Sequence, residues 1–310
     1  MRPLRYLVHA QNGGKATVEI TARTLQARFL LRPESHVNSI INGVLARGKE
    51  RFGVEIHADV ALSNHMHLML SVESVKQLSR FMQYVMSNIA RKVGRYVGWR
   101  GRFWQRRYRC IEISPDEESL VARFDYILQH GTKEGLVRCP TQWPGVHCAW
   151  HLAQNQWTVR GHWDDLTKAF RMRHVGKKPK ARDYRSDETF DLDPLPCWAH
   201  WKRADIRAWV LERLATIREM YADQDFLGAD KIRRQNITDA PRDPKRTPAP
   251  DVHAKNPQTR KDMRKAYREF VRSFYAAAGR LHQFLDLAGD PYFFPSGCHP
   301  PTPDCVHETA

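Results

Sequence analysis

The spacing of apolar residues changes period several times along the first half of the chain. Val18-Glu19-Ile20-Thr21-Ala22 alternates apolar and polar positions, which predicts a half-buried strand. Val37, Ile40, Ile41, Val44 and Leu45 then recur at helical spacing up to Gly53. Val54 to Leu62 and His65 to Ser71 read as two further strands, with Ser63-Asn64 as the bend between them. Leu78, Phe81, Met82, Val85, Met86, Ile89 and Val93 make one continuous helical stripe, and Ser74 with Gln77 supplies a capping-box start. Cys110 to Ile113 predicts a short strand. Ser114-Pro115-Asp116-Glu117 predicts a helix capped by Ser114, running to about His130 and stopping at Gly131.

The second half reads differently. Residues 151–200 are polar and basic with little periodicity. Residues 204–222 look helical, with Ile206, Trp209, Val210, Leu214 and Ile217 on one side. Five prolines between 240 and 257 predict an extended connector. A long helix follows, with Met263, Phe270, Phe274, Leu281 and Phe284 in register, and then an irregular Pro-rich tail. There is no internal repeat.

Charge narrows the choice of partner. The chain has 310 residues, 50 Lys+Arg against 34 Asp+Glu, and a formal net charge of +16. That imbalance sets up a field attractive to polyanions, of which nucleic acid is the commonest. Hydrophobic residues make up 42%, enough for a core at this length. No apolar run approaches the ~20 residues of a membrane span, and Met1-Arg2-Pro3-Leu4-Arg5-Tyr6 has no apolar signal region. Cys110, Cys139, Cys148, Cys197, Cys298 and Cys305 form no Cys-x-x-Cys pair and read as reduced thiols, so the expected location is cytoplasmic. Cys139, His147, Cys148 and His151 have no closed zinc spacing and read as a chance grouping.

Three segments carry candidate chemistry. In Asn64-His65-Met66-His67-Leu68-Met69-Leu70, the strand period puts His65 and His67 on one face and Met66, Leu68 and Leu70 on the other. Two neighbouring neutral imidazoles make a good ligand pair for a divalent metal, although two ligands alone do not make a site. Tyr126 and His130 lie four apart on the helix predicted from Ser114, so they are neighbours on one face. If His130 joins His65 and His67, a metal would lie close to the Tyr126 hydroxyl. The third segment is basic and aromatic. Arg91, Lys92, Arg95, Arg100, Arg102, Arg106, Arg107 and Arg109 are interleaved with Tyr96, Trp99, Phe103, Trp104 and Tyr108. Cations can follow phosphates while rings stack on unpaired bases. The plainer alternatives are a packing tyrosine, two half-buried histidines, and a solvated loop whose Trp104 and Tyr108 are structural.

Taken in order, these pieces resemble the single-tyrosine HUH transposases, especially the REP-associated branch of the IS200-like group. The resemblance covers roughly residues 17–151. Its marks are Arg28-Phe29-Leu30-Leu31, Asn64-His65-Met66-His67-Leu68, Phe103-Trp104-Gln105-Arg106-Arg107-Tyr108, Tyr126-Ile127, Gly135-Leu136-Val137 and Trp143-Pro144. It implies an α+β fold of the ferredoxin-like or RRM-like kind, an antiparallel sheet flanked by helices, here with a mainly helical C-terminal extension. The corresponding domains are 1–151 for the transposase unit, 152–239 for a basic, partly helical extension, 240–257 for the connector and 258–310 for the last helix and tail.

The resemblance also implies a metal-dependent endonuclease and strand transferase acting on hairpin-bearing single-stranded DNA. His65, His67 and His130 would hold Mn²⁺ or Mg²⁺, and Tyr126 would be the nucleophile that forms a 5′-phosphotyrosine. Arg91, Lys92, Arg95, Arg100, Arg102, Trp104, Arg106, Arg107, Tyr108 and Arg109 would bind DNA. A homodimer is compatible with it. The chain departs from the family pattern twice. His130 stands where a carboxamide is usual, which tilts the expected metal preference towards Mn²⁺. His130-Gly131-Thr132 replaces the family's Asn-Pro-Val. Three rival readings are a binding or regulatory protein without chemistry, a domesticated nuclease that no longer transposes, and a replication initiator of the wider HUH group.

Overall fold

A computed structural model describes residues 6–11, 13–241, 250–283 and 294. The element order is α1 (Val8–Gln11), β1 (Ala16–Arg23), α2 (Ser35–Phe52), β2 (Glu55–Leu62), β3 (His65–Val72), α3 (Val75–Tyr96), β4 (Arg109–Ile113), α4 (Glu117–Leu128), α5 (Cys148–Ala153), β5 (Thr158–Asp164), α6 (Leu166–His174), α7 (Ala181–Tyr184), β6 (Arg185–Asp191), α8 (Arg203–Met220), α9 (Ala229–Arg233), β7 (Val252–His253) and α10 (Pro257–Gln283). Five strands form one sheet in the order β2-β3-β1-β4-β7. All its pairings are antiparallel except β4 with β7. This is an α+β fold with a mostly antiparallel sheet flanked by helices.

β1 is central, between β3 and β4, and this changes the expectation of a half-buried strand. Val18, Ile20 and Ala22 enter the core as the alternation requires, but Thr17 and Glu19 on the opposite face are buried as well. Arg123 of α4 reaches down to pair with Glu19, so a helix covers the polar face too. The two helices predicted on either side of β2 and β3 form as expected. α2 stops at Gly53, whose φ of +64° is a left-handed cap suited to glycine. α3 starts at Ser74, whose side chain accepts from the Gln77 N–H at 3.1 Å.

α4 departs from the predicted cap. Its N-cap is Asp116, which accepts from the Ser119 N–H at 2.8 Å, and regular helix ends at Leu128. Ser114 lies two residues before the cap, where its N–H donates to the His253 carbonyl at 2.8 Å and extends the β4–β7 pairing. His130 therefore lies past the helix end. The stretch read as an extended connector contains β7, which adds to the sheet edge. Phe284, Cys298, Cys305, the Pro-rich tail and Met1 to Arg5 lie outside the described residues.

The weakly periodic stretch 151–200 contains an antiparallel hairpin, β5–β6. Its alternation was hidden because Gly161, His162 and Asp164 are all buried and interrupt the apolar pattern on both faces. The approach to α2 is too close for side chains. A Cβ on Gly43 would collide with the His162 backbone, and one on Gly161 would collide with the Gly43 backbone. Arg47–Glu188 (2.8 Å) and the Lys49 ammonium on the Asp191 carbonyl (2.6 Å) fasten the hairpin along the helix.

The C-terminal half also buttresses α4. Trp198 packs on Phe124 with ring centroids 5.3 Å apart, and Trp209 stacks behind it at 4.9 Å. Arg213 of α8 makes a two-point pair with Asp125, and the Tyr221 hydroxyl donates to Gln129 Oε1 at 2.8 Å. Among the described residues no helix is long and apolar enough to cross a membrane.

Candidate active site

β3 and α4 bring the predicted metal ligands and the predicted nucleophile together. In the β1–β3 register Thr21 faces His67 and Arg23 faces His65, so both imidazoles project from the face that carries Glu19. The turn after α4 adds His130. Gly131 takes φ +87° there, and its N–H donates to Glu134 Oε2 at 2.6 Å, which turns the chain back immediately after the histidine. His147 secures the same turn. Its Nδ1 accepts from the Ala149 N–H at 3.0 Å, so Nε2 carries the proton and donates to the His130 carbonyl at 3.3 Å. His147, grouped by sequence with three possible zinc ligands, is thus occupied as a helix cap.

Ring centroids lie 5.1 Å apart for His65–His67, 4.2 Å for His67–His130 and 6.0 Å for His65–His130. One ligand atom from each histidine lies within 4.8 Å of the others. The Tyr126 ring is 4.9 Å from His130 and 6.1 Å from His67. Tyr126 is 38% exposed, so a strand of DNA can reach it.

The donor set fits a metal for a specific reason. His65 Nδ1 meets Asn64 Oδ1 at 2.6 Å, His67 Nδ1 meets Glu19 Oε1 at 2.7 Å, and His130 Nδ1 meets the Ile127 carbonyl at 3.2 Å. A carbonyl or carboxylate oxygen can only accept, so each Nδ1 carries its proton and each Nε2 keeps a lone pair. Lys133 Nζ also lies 3.4 Å from His130 Nδ1. Burial holds all three rings below the ordinary imidazole range, with His67 at about 3, and neighbouring histidines and cations add to the effect. All three are neutral at pH 7, the state a metal requires. His67 to Glu19 is accordingly a hydrogen bond from a neutral ring to a carboxylate whose countercharge is Arg123.

Two cations flank the tyrosine. Lys133 Nζ lies 3.4 Å from the ring centroid and Arg123 Cζ 4.5 Å. Burial raises the Tyr126 phenol above its ordinary range, against the opposing pull of Arg123. Burial also brings the Lys133 ammonium down to about 8.

Glu19, Arg123 and Lys133 escaped the sequence reading. Glu19 had a signal, being an acid inside an otherwise apolar strand. Arg123 had a weaker one, three residues before Tyr126 and hence on its face. Removing the charge of Glu19 should loosen His67 and strand Arg123. We expect Glu19→Gln to lower metal affinity by about 10–100-fold, the usual cost of losing a ligand's orienting partner. Titration calorimetry with Mn²⁺ reads this directly, and an affinity equal to wild type would refute the role of Glu19.

The basic-aromatic segment divides into two groups. Arg91, Arg95, Arg100, Arg102, Arg106, Arg107 and Arg109 are exposed. Lys92, Trp104 and Tyr108 are buried and offer no surface to DNA in this conformation. Lys92 donates to the Asp164 carbonyl and sits 3.6 Å from the Trp163 ring centroid. Trp104 donates to the Met86 carbonyl at 2.8 Å. These three side chains serve packing between α3, the hairpin and the loop before β4.

Most of the sheet, the paired imidazoles and the tyrosine helix fall within one segment that can be compared with known proteins. Residues 19–130, the segment that carries all four of these side chains, match the family described as "Transposase IS200 like". That match spans about a third of the chain, and over it the chain is similar to that family. Among solved structures, a REP-associated tyrosine transposase bound to a REP hairpin is 20% identical with a TM-score of 0.39, over 47% of this chain and 81% of that one. A candidate transposase from Deinococcus radiodurans R1 is 19% identical with a TM-score of 0.29, over 41% of this chain and 95% of that one. No curated protein matches the chain.

Proposed function

We propose that the protein is a single-tyrosine DNA endonuclease and strand transferase acting on hairpin-bearing single-stranded DNA. One observation carries this reading: three neutral imidazoles and a reachable tyrosine converge from β3 and the end of α4. His65, His67 and His130 would hold one divalent ion through Nε2. When bound, that ion supplies Lewis-acid stabilisation to the scissile phosphate.

The remaining work falls to the chain's own residues. Arg123 and Lys133 lower the cost of a phenolate at Tyr126, since a cation within a few ångströms favours the charged form. The Tyr126 oxygen attacks phosphorus. The bond to the 3′ oxygen breaks and that oxygen leaves as a 3′-hydroxyl, while the 5′ phosphate stays on the tyrosine. A 3′-hydroxyl from a second strand reverses the step and releases Tyr126, joining the strands without an outside energy source. The exposed arginines from Arg91 to Arg109 would hold the DNA through phosphates, so affinity should fall steeply with salt. Glu19 holds His67 in orientation throughout.

The test of function incubates the protein with labelled hairpin single strands and metal, then looks for a protein–DNA adduct that survives denaturant. No adduct across several hairpins, with DNA binding retained, would make this a binding protein instead. A second measurement addresses the ion. With three imidazoles and no carboxamide, cleavage should run faster in Mn²⁺ than in Mg²⁺, and His130→Asn should narrow that gap. Equal rates in both ions together with an unaffected His130→Ala would exclude His130 from the centre.

A further inference from the structure

A second group of metal-ligating side chains lies away from these histidines, where the β5–β6 hairpin meets the start of α2. We propose that His36, His162 and Asp164 form a divalent-metal site of the zinc type that clamps this hairpin to the helix. One ligand atom from each lies within 4.8 Å of the others. His36 Nε2 is 3.9 Å and His162 Nε2 3.7 Å from the same oxygen, Asp164 Oδ2. Donors bonded to zinc at ~2.0–2.2 Å stand roughly 3.0–3.5 Å from each other, so both nitrogens lie within a few tenths of an ångström of ligand spacing from the Asp164 oxygen.

The geometry follows from the fold. His162 and Asp164 are two apart on β5 and share a face. The Gly43–Gly161 contact presses that strand onto α2 and sets His162 beside His36, with ring centroids 4.7 Å apart. His36 is further held by the Tyr96 ring at 4.4 Å, and Tyr96 donates to Glu34 Oε2 at 2.9 Å.

Three features separate this cluster from an ordinary ion pair. His162 Nδ1 is engaged by the Ser39 hydroxyl at 2.6 Å, while its buried Nε2 has no hydrogen-bond partner. A buried ring nitrogen without a partner is costly unless something occupies it. The Asp164 carboxylate already has a cation, since Arg185 grips both its oxygens at 2.7 and 3.1 Å. A protonated histidine is therefore not needed for charge balance. Arg185 acts instead as an orienting partner of a ligating carboxylate, which has lone pairs enough for both. The cations around the cluster, Arg185 and Lys92, oppose a dication. The negative charges of Asp164 and Asp165 offset them, while Glu34 is already paired with Arg32.

The site shares no residue with His65, His67 and His130, so the two can be told apart. The full-length protein is stripped of metal, loaded with zinc alone, desalted and assayed for zinc by elemental analysis. Wild type should retain two equivalents. His162→Gln should retain one, and the His65→Ala/His67→Ala double variant should also retain one. His36→Gln provides a second test in case His162→Gln fails to fold, because His36 is partly exposed on the first turn of α2. Amide exchange in residues 158–164 and 185–191 should slow with zinc in wild type and not in His36→Gln. Unchanged zinc content in both His36→Gln and His162→Gln, or complete loss of zinc in the His65/His67 double variant, overturns the proposal.

Discussion

Tyr126→Phe abolishes the covalent adduct and lowers cleavage by at least about 10³-fold, the scale expected when a nucleophile is removed. The phenyl ring still fits. It keeps the contacts with His67 and His130 and the faces presented to Arg123 and Lys133, so the variant should fold and bind hairpin DNA and metal as wild type does. The expected pattern is intact binding with no chemistry. A gel shift and a denaturing gel on the same samples measure the two sides. Adduct persisting in Tyr126→Phe would assign the nucleophile elsewhere. Lost binding would show that the hydroxyl holds DNA rather than attacking it.

The second large effect concerns stability. Asp59 lies in β2 opposite Leu68, fully buried, and neither carboxylate oxygen has a hydrogen-bond partner. Burial pushes its carboxyl from 3.8 up to about 7. The folded protein therefore holds this proton more tightly than the unfolded chain does. Between pH 4 and 7 the folded state binds more protons, so stability falls as pH rises, and above 7 the full penalty of a buried charge remains. Asp59→Asn removes that penalty while keeping the shape. The variant should match wild type near pH 4 and exceed it at pH 8 by on the order of 2–4 kcal/mol. Urea denaturation at the two pH values measures the difference, and parallel stability curves would refute it.

The sequence made the site more legible than its surroundings. His65 and His67 share a face because a strand has period two, and Tyr126 and His130 stay close although α4 ends at Leu128. Short-range periodicity is enough for such pairs. What holds them could not be read that way. Glu19 meets His67 and Arg123 only after strands pair and a helix crosses them. The cap of α4 was misplaced by two residues because Ser114 and Asp116 are both good capping types, and Ser114 belongs to the strand edge that pairs with β7, more than a hundred residues later. The hairpin of β5 and β6 was missed because glycine, histidine and aspartate stand where apolar residues would have marked it. Lys92, Trp104 and Tyr108 looked like part of a DNA surface because charge and aromaticity are visible in sequence and burial is not.

The grip of α8 on the tyrosine-bearing helix has a consequence for how such an enzyme can be altered. Asp125 and Gln129, which flank Tyr126, are tethered to Arg213 and Tyr221, some ninety positions downstream and beyond the family segment. The placement of the Tyr126 side chain thus depends on residues far along the chain from it. Under the proposed function, removing α8 would leave Tyr126 less firmly held, and substitutions in α8 would alter its placement without touching Tyr126 or the three histidines.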